Sequence, residues 1–247
     1  MRIDIQVFNN KIVSMTESFK FIIPVLMFCI IGGIIFSAIY FGKKYTILRK
    51  LSKFKARRIT QFRTNELTKV SGKVLQVQEP FVAPLSKRKC VAYIFEIKQK
   101  VSSGKSSRWD SLVLKEDIQD FFLEKEGELV MVKPSRETNN YYSFMVEDKR
   151  VSSGTFNDPT PEFQKVLESF GVESENWLGF NKTLKYTERI IEIGETITVG
   201  GIAKWKTLET PINGHNYSKI AALESSINQK IIITDHPKAI KLVERRR

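Results

Sequence analysis

The sequence predicts one transmembrane helix followed by a mainly β soluble domain of the α+β kind, with antiparallel strands and one inserted helix. Three observations predict it. Residues 21–42, FIIPVLMFCIIGGIIFSAIYFG, carry no charge, and as a helix they extend about 33 Å, enough to cross a bilayer core. Residues 43–58 hold basic residues and no acidic one. Beyond Ile59 the chain breaks into short β-rich runs separated by Gly, Ser and Asn, the pattern of strands and turns.

Residues 1–20 have no strong period and read as a tail. Pro24 falls in the first turn of the span, where its missing N–H costs little. Gly32-Gly33 at mid-span leaves two readings, close approach of another helix or a plain lipid-facing anchor. Residues 43–58 form a basic juxtamembrane segment in which Ile47, Leu48, Leu51 and Phe54 recur at three and four, an apolar stripe under a basic face. That stripe fits either a helix lying along the membrane or a solvated stalk. Residues 59–237 then read as the β domain. Strands are expected around Val70–Val77, over Cys90–Ile97 with Val91, Tyr93, Phe95 and Ile97 on one face, and over Trp109–Leu114. Gln119–Leu123 and Glu128–Val132 flank a Glu126-Gly127 hairpin turn, and Tyr141–Val146 makes another strand. Thr160-Pro161-Glu162 starts a helix with a hydroxyl cap and an N1 proline; Phe163, Val166, Leu167 and Phe170 form its apolar face and Gly171 ends it. Strands resume at Tyr186–Ile193, Thr196–Val199, Ile202–Trp205 and Lys230–Thr234. Residues 238–247 form a basic tail, with a short helix starting near Pro237.

The net charge of +13 suggests a nucleic-acid binder until it is located. Lys43, Lys44, Arg49, Lys50, Lys53, Lys55, Arg57 and Arg58 carry +8, residues 238–247 carry +4, and residues 59–237 are neutral. A neutral domain between basic ends fits anionic lipid headgroups better than a DNA groove, so no nucleic-acid partner is expected. An uncleaved anchor is expected, because the apolar run is long, lacks an Ala-x-Ala cleavage site and follows a mixed-charge tail. The positive-inside rule places the N-terminus outside and the domain in the cytoplasm.

The two cysteines and two histidines, Cys29, Cys90, His215 and His236, form no zinc-ligand spacing and no disulfide framework. Neither metal nor cofactor is expected, and no catalytic residues emerge. Gly104-Lys105-Ser106 copies the end of a P-loop, but Gln99 stands where the first glycine belongs and strands lie on both sides. Glu116, Asp117, Asp120, Glu124, Glu126 and Glu128 read as solvated hairpin edges. Cys90 follows Lys87, Arg88 and Lys89, which would favour a thiolate; the competing reading is a small core residue at the start of a strand.

Ala83-Pro84-Leu85-Ser86, then Cys90-Val91 and Tyr93, followed by Trp109, resembles the signature of the GIDE or BAM (beside-a-membrane) domain. That domain occurs in the membrane-bound mitochondrial ubiquitin ligase and in many bacterial membrane proteins. Lys87 stands where the family has glycine. Asp120–Gly127 with Val130–Pro134, and Glu188-Arg189 through Gly194-Glu195 to Val199-Gly200, resemble two later family segments in the right order. The resemblance implies structural or binding roles for these motif residues. It also implies a ubiquitin-ligase label, or a part in such a ligase. The eukaryotic relatives carry that activity on a RING finger of eight Cys/His zinc ligands, which this chain does not contain. The function expected is an interaction or sensing module at the cytoplasmic membrane face, with anionic lipid and an unidentified protein as partners.

Overall fold

The computed structural model describes residues 24–154, 157–175, 181–207 and 219–244. The N-terminal tail, residues 21–23, His215 and Arg245–Arg247 lie outside them. The chain divides into two compact units, Met1–Thr46 and Ile47–Arg247.

The described part of the first unit is dominated by α1, Pro24–Phe41, which is long and apolar enough to cross a membrane. Its Phe28, Phe36 and Phe41 are exposed, and a Cβ on Gly32 or Gly33 would meet nothing within 4 Å.

The second unit contains thirteen described strands: β1 (Lys55–Ala56), β2 (Leu67–Gln76), β3 (Phe81–Val82), β4 (Lys89–Ser103), β5 (Ser106–Ile118), β6 (Phe121–Lys125), β7 (Glu128–Val132), β8 (Tyr141–Phe144), β9 (Lys149–Ser153), β10 (Leu184–Glu192), β11 (Thr196–Thr207), β12 (Lys219–Glu224) and β13 (Ile231–Thr234). Three α-helices accompany them among the described residues: α2 (Lys43–Ser52), which begins at the end of the first unit, α3 (Pro161–Ser169) and α4 (Pro237–Glu244).

Five of the strands close a ring. β2 pairs with β6, β6 with β7, β7 with β12, β12 with β11, and β11 returns to β2. Counted along the chain, the ring order is 1-2-3-5-4, and its one parallel pairing joins β7 to β12. This is the connectivity of a five-stranded Greek-key barrel of the OB type. Val70, Val74, Leu123, Val130, Val199 and Leu223 fill its interior. Gly72 sits where β2 passes from one ring neighbour to the other; a Cβ there would lie 2.5 Å from the Glu124 carbonyl oxygen. Glycine at a barrel corner lets two backbones approach this closely.

A second sheet, β3-β4-β10-β9 with β5 also on β4, is built from two excursions out of the ring. β3–β5 leave between β2 and β6, and β9–α3–β10 leave between β7 and β11. The inserted helix is α3: the Thr160 hydroxyl accepts from the Phe163 N–H at 3.3 Å, and Gly171 takes a φ of +64°. Phe163, Val166 and Leu167 pack with Phe95, Ile97 and Tyr186 into a second core.

The strand pattern departs from expectation at several places. Val91 does not share a face with Tyr93. Opposite the Ile191/Glu192 step, β4 carries a bulge, so Val91 enters the barrel core while Cys90 joins Tyr93 in the second core. A bulge shifts the alternation by one residue in this way. Thr196–Val199 and Ile202–Trp205 are one strand, β11, which passes through Gly200-Gly201. β12, KIAALE, has the composition of a helix, which hid it. The strands are also not all antiparallel: β1–β2, β7–β12 and β8–β13 run parallel.

The apolar stripe of residues 43–58 meets neither of its two expectations. α2 ends at Ser52, and Ile47, Leu51 and Phe54 are buried against Ile232 and Ala239 of the barrel unit. Lys69, buried on β2, donates from its ammonium to the Leu51 carbonyl at 2.8 Å, placing a cation at the C-terminal end of α2, where the helix dipole favours it. Gly200 leaves room for this docking. Its added Cβ would lie 2.8 Å from Leu51 Cδ2 and 3.2 Å from Phe54 Cδ1. Gly200→Ala is therefore expected to loosen α2 and lower stability by about 1 kcal/mol, read by thermal unfolding of the full-length chain in detergent. The obstructing atoms are side-chain ends that can yield, so a loss much larger than this would mean α2 is clamped more rigidly than its contacts imply. The short helix expected near Pro237 is α4, whose Ala239 and Val243 are buried.

Candidate functional site

The motif residues meet at the turn that joins β3 to β4. Ala83 and Leu85 are buried. The turn closes through the Ala83 N–H to the Arg88 carbonyl at 2.9 Å and the Lys87 N–H to the Ala83 carbonyl at 3.0 Å. Lys87 closes it with a φ of +60°, a backbone conformation that glycine adopts most easily. Pro84 keeps its predecessor extended.

Under this turn lies Glu188 of β10, fully buried. Its carboxylate accepts three hydrogen bonds: from the Leu85 N–H at 2.9 Å, the Ser86 N–H at 3.0 Å and the Tyr186 hydroxyl at 2.7 Å. The first motif and the last, a hundred residues apart, are thus two halves of one fastening. Backbone amides of the turn make it; the Ser86 hydroxyl is buried and has no hydrogen-bond partner among the described residues. The Tyr186 hydroxyl is pushed up from its ordinary pKa, first by burial and then by its bond to Glu188, so it remains a donor.

Arg88 makes a second fastening beside the first. It donates to Asp148 at 2.8 Å and to Glu192 at 3.0 Å, while Asp148 accepts the Ile190 N–H at 2.9 Å. Charge-assisted bonds of this kind are about twice as strong as neutral ones. Arg88 was singled out in the sequence only as a neighbour of Cys90, and Asp148 not at all, because no local spacing announces a partner sixty residues away. Arg189 lies on the other side of β10, 3.9 Å from Glu147.

Cys90 is a core residue. Its Sγ faces the Phe81 carbonyl at 3.7 Å. Burial, and secondarily the charge of Glu188, pushes the thiol up to about 12, outweighing Arg88. The neighbouring cations do not make a thiolate. Iodoacetamide at pH 8 is expected to label Cys90 on the order of a thousandfold more slowly in the folded chain than after denaturation; comparable rates by peptide mass spectrometry would contradict its burial.

The remaining motif residues are distributed over the two sheets. The Tyr93 hydroxyl bonds to Asp117 across β4–β5, and its ring meets Phe81 edge-on. Trp109 is exposed on β5, with Lys185 Nζ 5.7 Å from its ring centroid. Gly127 turns the β6–β7 hairpin with Glu126, both at positive φ, and its N–H is held by Glu124 at 2.8 Å. Pro134 is buried just after β7. Gly194, with φ +84°, turns β10 into β11. The acidic run around β5 and β6 is more engaged than solvated edges would be: Glu116 accepts from the Tyr141 hydroxyl at 2.7 Å and from Ser143 at 3.4 Å. Gly104 forms the tip of the β4–β5 hairpin.

Among the cations of residues 43–58, Lys55 and Arg57 are spent on the fold. Both bind Glu66 at 2.8 Å, and the hydrogen bond from Arg57 leads in lowering that carboxyl to about 2. Lys50 lies over the Tyr142 ring at 4.1 Å. His236 is buried ahead of α4 and accepts the Lys238 N–H at 3.1 Å.

A buried carboxyl, Asp235, and a half-buried one, Glu195, give the domain a pH response. Burial raises Glu195 to about 7 and Asp235 to about 6. A folded pKa above the unfolded one means the folded chain holds the proton more tightly. That stability is complete below about pH 4 and is lost as pH rises through 6 and 7. Glu66 stays ionised across this window, so it contributes no slope. The thermal midpoint is expected to fall between about pH 5 and 8. Asp235, the more buried of the two, contributes about 2 kcal/mol, and Asp235→Asn should flatten the lower-pH part of the profile; an unchanged slope in that variant would reject the assignment.

Among the described residues no group of three or more His, Cys, Asp or Glu side chains could hold a metal ion. Comparison of the chain with family models, curated proteins and solved structures finds no match.

Proposed function

We propose that the chain is an interaction or sensing module of the GIDE/BAM type, anchored by residues 21–42 with its β domain at the cytoplasmic face of the membrane. The observation that carries this reading is how soon folded core follows the apolar helix. Ile47, the first buried residue of the second unit, comes six residues after Phe41, and six residues reach at most about 21 Å when fully extended. An anchored α1 therefore keeps the start of the domain within that reach of the membrane surface. The eight cations of residues 43–58 favour the cytoplasmic side, and those not engaged in the fold attract anionic lipid.

The family reading draws support from the turn. Lys87 holds a glycine-like φ where the family has glycine, and the Ala83–Ser86 and Glu188 motifs occur together because each completes the other's hydrogen bonds. With Cys90 and Glu188 committed to the core, the module acts by docking a protein partner.

The test is alkaline extraction of membranes carrying the full-length chain, then intact-mass measurement and protease digestion of right-side-out and inverted vesicles. The expected result is retention in the membrane with the N-terminal segment intact and domain cleavage only in inverted vesicles. A soluble chain beginning near Lys43 would show that residues 21–42 are a removed signal. Cleavage in right-side-out vesicles would place the domain on the other side.

A further inference from the structure

Beside the docked α2, α4 leaves a groove. Leu51, Ile232 and Ala239 belong to one cluster, so both helices rest on the same part of the barrel. On their outer side Leu48 of α2 and Lys238, Lys241 and Leu242 of α4 line a cavity of about 440 Å³. This lies within the range of small-ligand sites. Its chemistry is divided, with two leucines supplying apolar wall and two lysines supplying charge. Neither lysine ammonium has an acidic partner among the described residues, in contrast to Lys55 and Arg57, which share Glu66.

We propose that this groove binds the headgroup of one anionic phospholipid, with the phosphate between Lys238 and Lys241 and the adjoining glycerol and first acyl carbons against Leu48 and Leu242. An amphiphile with a negative head satisfies both halves of the lining; a free anion would leave the leucines facing water, and a neutral lipid would leave the lysines unpaired. Position selects the same occupant. Leu48 follows Phe41 by seven residues, at most about 25 Å of extended chain, so an anchored chain keeps the groove in reach of headgroups. The proposal rests on the anchored reading above and adds a stoichiometric site to it: a bound lipid held between α2 and α4, distinct from diffuse attraction to the juxtamembrane cations.

The test is native mass spectrometry of the full-length protein purified in detergent, after alkaline extraction has established that it is an integral membrane protein. Phosphatidylglycerol and phosphatidylcholine are added in equal amounts, with and without inorganic phosphate. The expected result is one retained phosphatidylglycerol per chain, at least about tenfold favoured over phosphatidylcholine. Lys238→Ala/Lys241→Ala should reduce retention to the phosphatidylcholine level, whereas Lys100→Ala/Lys105→Ala, on the distant β4–β5 hairpin, should keep it. All four lysines are exposed, and their thermal unfolding should match the parent, which separates loss of the site from loss of the fold. Equal retention of the two lipids, unchanged retention in the first double variant, displacement by inorganic phosphate, or a peptide or second copy retained in place of lipid would each overturn the proposal. Failure here with alkaline extraction intact rejects the groove alone; release by alkali rejects the anchor.

Discussion

Glu188→Ala in the full-length chain is expected to cost about 3–5 kcal/mol, because it strands two buried donors and one part-buried donor, each buried one worth about 1–3 kcal/mol when left unpaired. For a domain of this size that is a fall of roughly 10 °C in the thermal midpoint. Loss should not be confined to one sheet. The Leu85 and Ser86 amides, once released, free the turn between β3 and β4, and the Tyr186 hydroxyl is left within the second core. Glu188→Gln keeps the volume but turns an N–H₂ toward groups that are themselves donors, so it should recover only part of the loss. Tyr186→Phe removes one of the three bonds together with its donor and should cost the least. Thermal unfolding of the three variants in one detergent measures the series. A cost below about 1 kcal/mol for Glu188→Ala would mean that water satisfies the turn as well as the carboxylate does.

The second large effect is expected at Gly72. Alanine there places a methyl carbon 2.5 Å from the Glu124 carbonyl oxygen and 3.1 Å from its carbon. Those atoms are backbone of β6, held by pairing to both β2 and β7, so they cannot swing aside. The ring must open at β2–β6 or shift register, at about 3 kcal/mol or more. Gly200→Ala offers the contrast, since there the obstruction is side-chain ends. A Gly72→Ala chain as stable as the parent would show that β2 and β6 can separate at the corner without breaking the ring.

The parts of this fold that were legible in the sequence are those that local chemistry determines. Thr160-Pro161 and Gly171 bracket α3, Glu126-Gly127 turns a hairpin, and uninterrupted apolarity marks the helix of residues 24–41. What escaped depends on partners far away in the chain. The stripe Ile47, Leu51, Phe54 has the spacing of a surface helix, and only Gly200 on β11 reveals what it packs against. KIAALE becomes β12 because β7 and β11 lie on either side of it. Val91 and Cys90 exchange cores because of a bulge that alternation cannot announce. At the motif turn the sequence showed which residues belong together, but the reason, a carboxylate a hundred residues away, required the hydrogen bonds.

The two excursions that build the second sheet interleave with the ring along the chain. No cut between β2 and β12 separates the domain into pieces that each own a core, and the ring cannot close until Lys219–Glu224 has been made. Synthesis of the roughly 180 residues between Gly42 and that strand takes about 10–40 s at ordinary elongation rates, while pairings of such long sequence separation form slowly in any case. Residues 21–42 leave the ribosome long before. If they enter the bilayer as they emerge, the domain completes its fold already tethered, and its unpaired strands spend that interval beside lipid instead of free in solution.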